Sequence, residues 1–501
     1  MPHSTTHEGS DTEASVLTIT WDDNDPMHPH SLSPVRKWLA VLTVSMGSLC
    51  VTCTSSIFST TYDQIRKDFN SSHEVATLGL SLFVWGMALG PLILGPLSEL
   101  YGRRIIYLST LVLFLIWLVP CAIATNIQTL LISRFFDGFF GSPFLSVAGG
   151  TVGDMFPRVH LALPMMIYTT SPFIGPELGP LLVHLDIHLL CDSMLIFVLS
   201  RLGGFINQLT NWQWTFYALI CWAAAVIVLI YFLVPETYEP VLLKRKTEKI
   251  RQEHSSPSTL DEKAKEQADI RTIILRSISR PIMLLVLEPM CLCLCIYSAL
   301  LLGIIYLFFG AFQIVFESVY GFELWQVGLS FLGLLVGMVL AVLSDPYWRS
   351  NYRRLERNHQ LANGDSKFLP EWRLPPAIAG APLVTVGLFM FAWTTYSSVH
   401  WIVPIIGSAI FGAGLVLVYS GIFTFLVDAY PKYAASALAA NSFTRATFGG
   451  IFPLFGDQMY QKLGIHWASC LLAFLTLAML PFPYIFYRYG AQIRGKSHFA
   501  T

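Results

Sequence analysis

The sequence predicts an all-α integral membrane protein with twelve transmembrane helices in two six-helix bundles. Three observations carry that prediction. Of 501 residues, 54% are hydrophobic and only 13% charged, with a mean hydropathy of +0.57, well outside the soluble globular norm. The apolar residues gather into twelve windows of about 20, each long enough at 1.5 Å per helical residue to cross about 30 Å of hydrocarbon. A single long charged stretch then divides the windows six and six.

Residues 1–37 are polar, acidic and His-bearing, with no basic segment ahead of a short apolar core, so they read as a tail rather than a signal peptide. The first six windows are 38–58, 75–98, 105–125, 129–152, 162–183 and 212–234, giving an N-terminal half over 38–234. Residues 235–281, with the run "LKRKTEKIRQEHSSPSTLDEKAKEQADIR", form a linker. The windows 288–312, 325–345, 375–395, 399–425, 434–456 and 466–487 make a C-terminal half over 282–487, followed by a tail at 488–501.

An even number of spans leaves both termini on one side, and Lys and Arg near span ends mark the cytoplasm. With the termini inside, the cytoplasmic segments hold 25 of the 31 Lys and Arg residues. Arg66, Lys67, Arg201 and Lys462 fall opposite, and Arg134 and Arg445 lie within spans. The expected location is the plasma membrane, with both termini cytoplasmic.

Two local patterns tempt other readings. "GAQIRGKS" (490–497) fits the phosphate-loop spacing G-x-x-x-x-G-K-[ST], but a membrane span precedes it and only four residues follow. A phosphate loop needs a strand before it and a helix after it, so no ATPase, no other enzyme and no nucleotide cofactor is expected. In "CLCLC" (291–295), residues two apart on a helix diverge by about 200°, so the three thiols do not converge on a metal. Eight of the nine cysteines lie in or beside spans, which argues against a disulfide framework.

Span 2 ends in "GPLSELYGRR" (95–104). Gly95 and Gly102 would allow close helix approach and a tight turn, while Glu99 and Arg103 or Arg104 offer a charge pair that could latch one state; the arginines alone could equally be topogenic anchors. This stretch resembles the G-x-L-x-D-r-x-G-r-[RK] signature of the major facilitator superfamily, with Glu99 in place of Asp and Leu100 in place of the usual basic residue. "RFFDGFFGSP" (134–143), "GPELGP" (175–180), "PETYEPVLL" (235–243) and "VDAYPKYAASALAANSF" (427–443) extend the resemblance along nearly the whole chain, to the fungal drug:proton antiporter branch. That resemblance implies proton-driven efflux. It also identifies Gly175, Pro176 and Gly179 with the antiporter motif of span 5, where small residues let helices pack closely and Pro favours a kink.

Charges inside spans are costly, by about 2.5–3.5 kcal/mol each at the bilayer centre on insertion scales, and tend to face a cavity or a partner. The candidates are Arg134 and Asp137 in span 4, Glu177 in span 5, Glu288 at the edge of span 7 and Arg445 in span 11. A carboxylate held away from water can carry a proton. Arg134 is identified by the resemblance with the span 4 arginine linked to proton coupling, and Asp137 is its i,i+3 partner; a static structural pair is the alternative. The aromatic runs "LIWLVP", "YLFFGAF" and "FMFAW" could line a cavity for flat apolar or cationic compounds.

One stretch departs from the family pattern. Deleting 182–201 from this chain leaves "GPELGPLLGGFINQ", the expected connection of spans 5 and 6, which suggests a retained intron; a genuine insertion is the other reading. Asn70 opens an N-x-S sequon before span 2. Three functions follow: proton-coupled export of small organic compounds, proton-coupled uptake of a nutrient or polyamine, and a membrane sensor without flux. The partners implied are a small molecule, protons and lipid, with no nucleic acid and a monomeric chain.

Overall fold

The computed structural model describes residues 25, 28–156, 162–184, 211–254, 270–363, 369–495 and 497. Most of the N-terminal tail, most of 182–201, the centre of the linker and Lys496 lie outside the described residues. Among those described, nine helical stretches are long and apolar enough to cross a membrane. The last of them, Ser436–Arg494, carries two predicted windows, separated at Gly464, whose φ of 76° is not helical. The windows 129–152 and 162–183 fall on a broken helix and on Ala162–His184. All twelve expected spans are thus accounted for by helices.

Local chemistry sets the ends. Span 1 is Pro34–Ile57, with proline in the first turn, where the missing N–H costs nothing. A short helix, Tyr62–Phe69, follows it and closes at Asn70 with φ 48°, the left-handed geometry that asparagine tolerates. Ser72 then caps span 2, His73–Tyr101, by accepting from Val75 N–H. Asn70 and Ser72 of the sequon therefore both serve as helix caps. Span 3 is Arg103–Ala122 and span 6 is Gln213–Leu233. Span 4 runs as Ile127–Gly141, Pro143–Ser146 and Ala148–Met155, interrupted where Pro143 cannot donate its N–H.

The linker is partly helical, Glu239–His254 and Ile270–Leu287. Span 7, Pro289–Tyr320, starts after Glu288 and ends at Gly321 with φ 65°. Span 8 comprises Leu324–Ser330 and Leu332–Leu343 and leads into a polar helix, Asp345–Asn363. Span 9 is Pro375–Thr394 and span 10 is Ile402–Ala429.

Packing repeats between the halves. Span 1 packs on span 5, span 2 on span 4 and span 3 on span 6; six positions later, span 7 packs on span 11, span 8 on span 10 and span 9 on span 12. Across the halves, span 2 meets span 11 and span 5 meets span 8. Glycines permit the closest approaches: a Cβ on Gly138 would collide with Phe83 O in span 2, and one on Gly337 with Ala409 O in span 10.

The aromatic runs divide. Phe312 and Phe391 stack with centroids 5.3 Å apart in the core of the C-terminal half, and Phe308 touches both. Phe308 and Phe312 of "YLFFGAF" and Phe391 of "FMFAW" thus build packing, while Tyr306, Leu307, Phe309, Gly310 and Ala311 of the first run line a cavity. Trp117 of "LIWLVP" stacks on Phe136 at 4.5 Å.

Candidate functional site

Span 4 carries the most deeply buried charge. Arg134 and Asp137 both have fully buried side chains, with Nη1 3.8 Å from Oδ2. Helical spacing alone brings them together. The guanidinium donates to Thr54 O in span 1 at 3.1 Å and lies over the rings of Phe58 and Phe83, 4.6 and 4.2 Å from their centroids. Two aromatic faces thus share the cost of burying the cation. The Cys121 thiol lies 4.0 Å from Asp137 Oδ2, while Arg134 Nε and Asp137 Oδ1 have no hydrogen-bond partner among the described residues.

Glu177 is 1% exposed, and neither carboxylate oxygen has a hydrogen-bond partner among the described residues. Its helix is pressed onto span 1 by its two neighbours: a Cβ on Gly175 would strike Thr52 Oγ1, and one on Gly179 would strike Ser56 Oγ. Pro176 is buried between them, and the helix continues unbroken from Ala162 to His184. Gly175 and Gly179 thus lie where span 5 packs closely on span 1, with Pro176 inside the helix.

Arg445 approaches from the other half. Its guanidinium lies 5.3 Å from the Tyr419 ring and 4.9 Å from that of Phe423. Tyr419 in turn stacks on Phe173 of span 5 at 5.1 Å and donates to Ser298 O at 3.0 Å. Asn441 Nδ2 donates to Ser298 Oγ at 2.7 Å. Charged groups from spans 4, 5 and 11 thus gather around the seam between the halves. Glu288 stands apart from them, at the start of span 7, and accepts from Ser497 and Tyr430 at 2.6 and 3.4 Å.

The turn between spans 2 and 3 differs from expectation in three ways. Glu99 is exposed and makes no ion pair among the described residues; Arg103 pairs with Asp154 at 3.3 Å and donates to Ser98 Oγ at 2.8 Å. A Cβ on Gly95 would meet nothing within 4 Å, so no helix approaches closely there. Gly102, with φ 99°, makes the tight turn, in a region closed to most other residues.

The third difference is Glu236, which sequence reading did not single out. Its carboxylate accepts from the backbone N–H groups of Arg103 and Arg104 at 2.9 and 3.2 Å, and from those of Thr237 and Tyr238 at 3.0 Å. Gly102 cannot cap span 3 with a side chain, so a carboxylate from the end of span 6 satisfies its free N–H groups and complements its dipole. The only signal was its place in "PETYEP". Arg104 Nη2 donates to Tyr231 O at 2.6 Å, tying the same two spans.

The C-terminal half repeats the device. Arg373, just before span 9, pairs with Asp428 at the end of span 10 at 2.8 Å and lies over Tyr352, much as Arg103 pairs with Asp154 and lies over Tyr238. Arg494 grips Glu371 through two hydrogen bonds of 3.0 and 2.9 Å. The phosphate-loop look-alike is occupied by this contact: Gly490 to Arg494 belong to the helix Pro481–Arg494, and Gly490 packs against Glu371.

Twelve spans in two matching halves, with ionisable groups buried at their seam, are the architecture of a membrane transporter. Residues 44–453 match the sequence model of the Major Facilitator Superfamily, and the chain belongs to that family. It is 50% identical to Efflux pump atB of Aspergillus terreus over 99% of this chain and 93% of that protein. With the Probable drug/proton antiporter YHK8 of Saccharomyces cerevisiae it shares 41% over 97% of this chain and 90% of that one. Among solved structures, the xylose transporter XylE from E. coli superposes with a TM-score of 0.60 at 16% identity, covering 90% of this chain and 99% of the other. That likeness concerns the fold alone.

Proposed function

We propose that the chain exports small organic compounds, drugs or secondary metabolites, in exchange for protons by alternating access. The observations that carry this reading are the buried Arg134–Asp137 pair and a buried Glu177 with no hydrogen-bond partner among the described residues, in a chain whose end-to-end relatives are named efflux pumps and a drug/proton antiporter. An isolated buried ion costs on the order of several kcal/mol, and ionisable residues kept inside a membrane mark pathways for ions or substrate. Asp137 and Glu177 are the groups that take up and release the proton. Arg134 sets the charge state of its neighbour, and Arg445 with Tyr419 and Phe173 faces the substrate.

Gly102, Arg103, Asp154 and Glu236 form the latch on the basic face, where Arg104 adds its tie to Tyr231 and Glu99 remains at the surface. Gly175, Pro176 and Gly179 hold span 5 on span 1 while the cavity opens and seals. The basic face is cytoplasmic, both termini lie there, and the chain works as a monomer in the plasma membrane. Asn70 is then exterior and available as a sequon.

The test is flux in proteoliposomes under an imposed pH gradient against a panel of drugs and metabolites, with Arg134→Ala as control. Uphill movement that follows the gradient and is lost in Arg134→Ala supports the reading; flux indifferent to the gradient removes the coupling.

A further inference from the structure

Tyr306, an uncharged residue, joins the two halves at the middle of the molecule. It is 3% exposed, and its hydroxyl lies 3.1 Å from Ser55 Oγ of span 1, a buried hydrogen bond between two bodies that must move apart. Its ring meets Phe309 edge to face at 5.4 Å. Behind it is Gly449, where an added Cβ would come within 3.2 Å of the tyrosine ring and 3.4 Å of Val84.

Two environments meet at this side chain. Arg445, Arg134 and Glu177 are all within electrostatic reach of its hydroxyl, so one side belongs to the buried site. The other side lines a cavity of about 240 Å³ that also takes in Leu80, and whose charged groups are Asp63, Arg66, His73, Glu317 and Asp457. Over that cavity Gln458 donates to Glu74 at 3.1 Å and His73 stands 3.8 Å from Asp457, both between spans 2 and 11.

We propose that Tyr306 is the gate residue sealing the buried site from this cavity, and that the Ser55–Tyr306 hydrogen bond breaks each time the site opens to that face. It is a positioning residue and takes no proton. The contacts of His73 and Glu74 form an outer layer of the same closure and Tyr306 the inner one. Opening exchanges one neutral hydrogen bond for water, so the bond biases the open population by roughly two- to tenfold.

The proposal rests on the central cluster being the transport site, yet its test needs neither substrate nor proton gradient. Leu80→Cys, in the cavity, and Val84→Cys, one turn deeper behind Tyr306, are exposed on intact cells to a membrane-impermeant methanethiosulfonate, and modification is read by mass spectrometry of the peptide. The full chain with Val84→Cys should react slowly. Adding Tyr306→Phe should speed it roughly two- to tenfold, and Ser55→Ala should do the same. Both together should exceed neither alone, and Leu80→Cys should be unaffected.

Unchanged Val84→Cys labelling in both variants, or accelerations that multiply, would overturn the gate. If Tyr306→Phe fails to reach the surface, Ser55→Ala, which deletes one oxygen, decides the matter. Faster labelling with flux indifferent to the pH gradient would keep the gate and remove antiport; the reverse result would keep antiport and remove the gate.

Discussion

Arg134 shows what a single buried residue costs and returns. Its cation is matched by Asp137 and by two aromatic faces, and breaking a buried pair from one side costs about 3–5 kcal/mol because the other charge is left uncompensated. Asp137→Ala should therefore lower the thermal midpoint of the purified protein sharply. The double variant Arg134→Met, Asp137→Leu should recover most of that loss, since apolar replacements of similar volume often match a buried pair. Export should be absent in both. Recovery of proton-driven flux in the double variant would make the pair structural. Both residues were legible in the sequence, because a charge inside an apolar window is conspicuous and i,i+3 is a local relation. Glu236 was not, because the N–H groups it holds lie 133 and 132 residues away. Glu236→Ala should strip the cap of span 3 and reduce both thermal midpoint and export, while Glu236→Gln, which keeps an acceptor oxygen, should retain more of each.

At the scale of elements, backbone contact decides which glycines matter. Gly138 places span 4 against Phe83 O, whereas Gly95 faces open space. Gly138→Ala should destabilise by about 1–3 kcal/mol through overpacking, measured as a fall in thermal midpoint; Gly95→Ala should leave midpoint and export unchanged. Equal effects at the two sites would contradict the packing described. Spans could be found in the sequence by length and apolarity alone, but neither measure says which spans touch. Residues 86–104, "GMALGPLILGPLSELYGRR", and 337–354, "GMVLAVLSDPYWRSNYRR", share a weak likeness that would set Arg353 and Arg354 opposite Arg103 and Arg104. In three dimensions Arg373 holds that place, because the polar helix Asp345–Asn363 intervenes between spans 8 and 9.

For the whole molecule, coupling is a property of two halves moving about one seam. Dissipating the pH gradient with an ionophore should abolish uphill export from cells, and depleting nucleotide in vesicles with an imposed gradient should not. Export that survives the ionophore but stops without nucleotide would refute the energy source proposed. Spans pair within each half, one to five and seven to eleven among them, and the halves meet through spans 2 and 11 and spans 5 and 8, so motion of one half against the other is taken up at those contacts.

The grip of Arg494 on Glu371 has a consequence for how the protein is made. Synthesis proceeds from the amino end, and earlier segments fold while later ones are still being added. Glu371 enters the nascent protein 123 residues ahead of its partner and waits as an unanswered acid until Arg494 is added. A message that stops short of codon 494 would leave that acid orphaned just before span 9, so this face of the second half is completed only once the helix Pro481–Arg494 is in place.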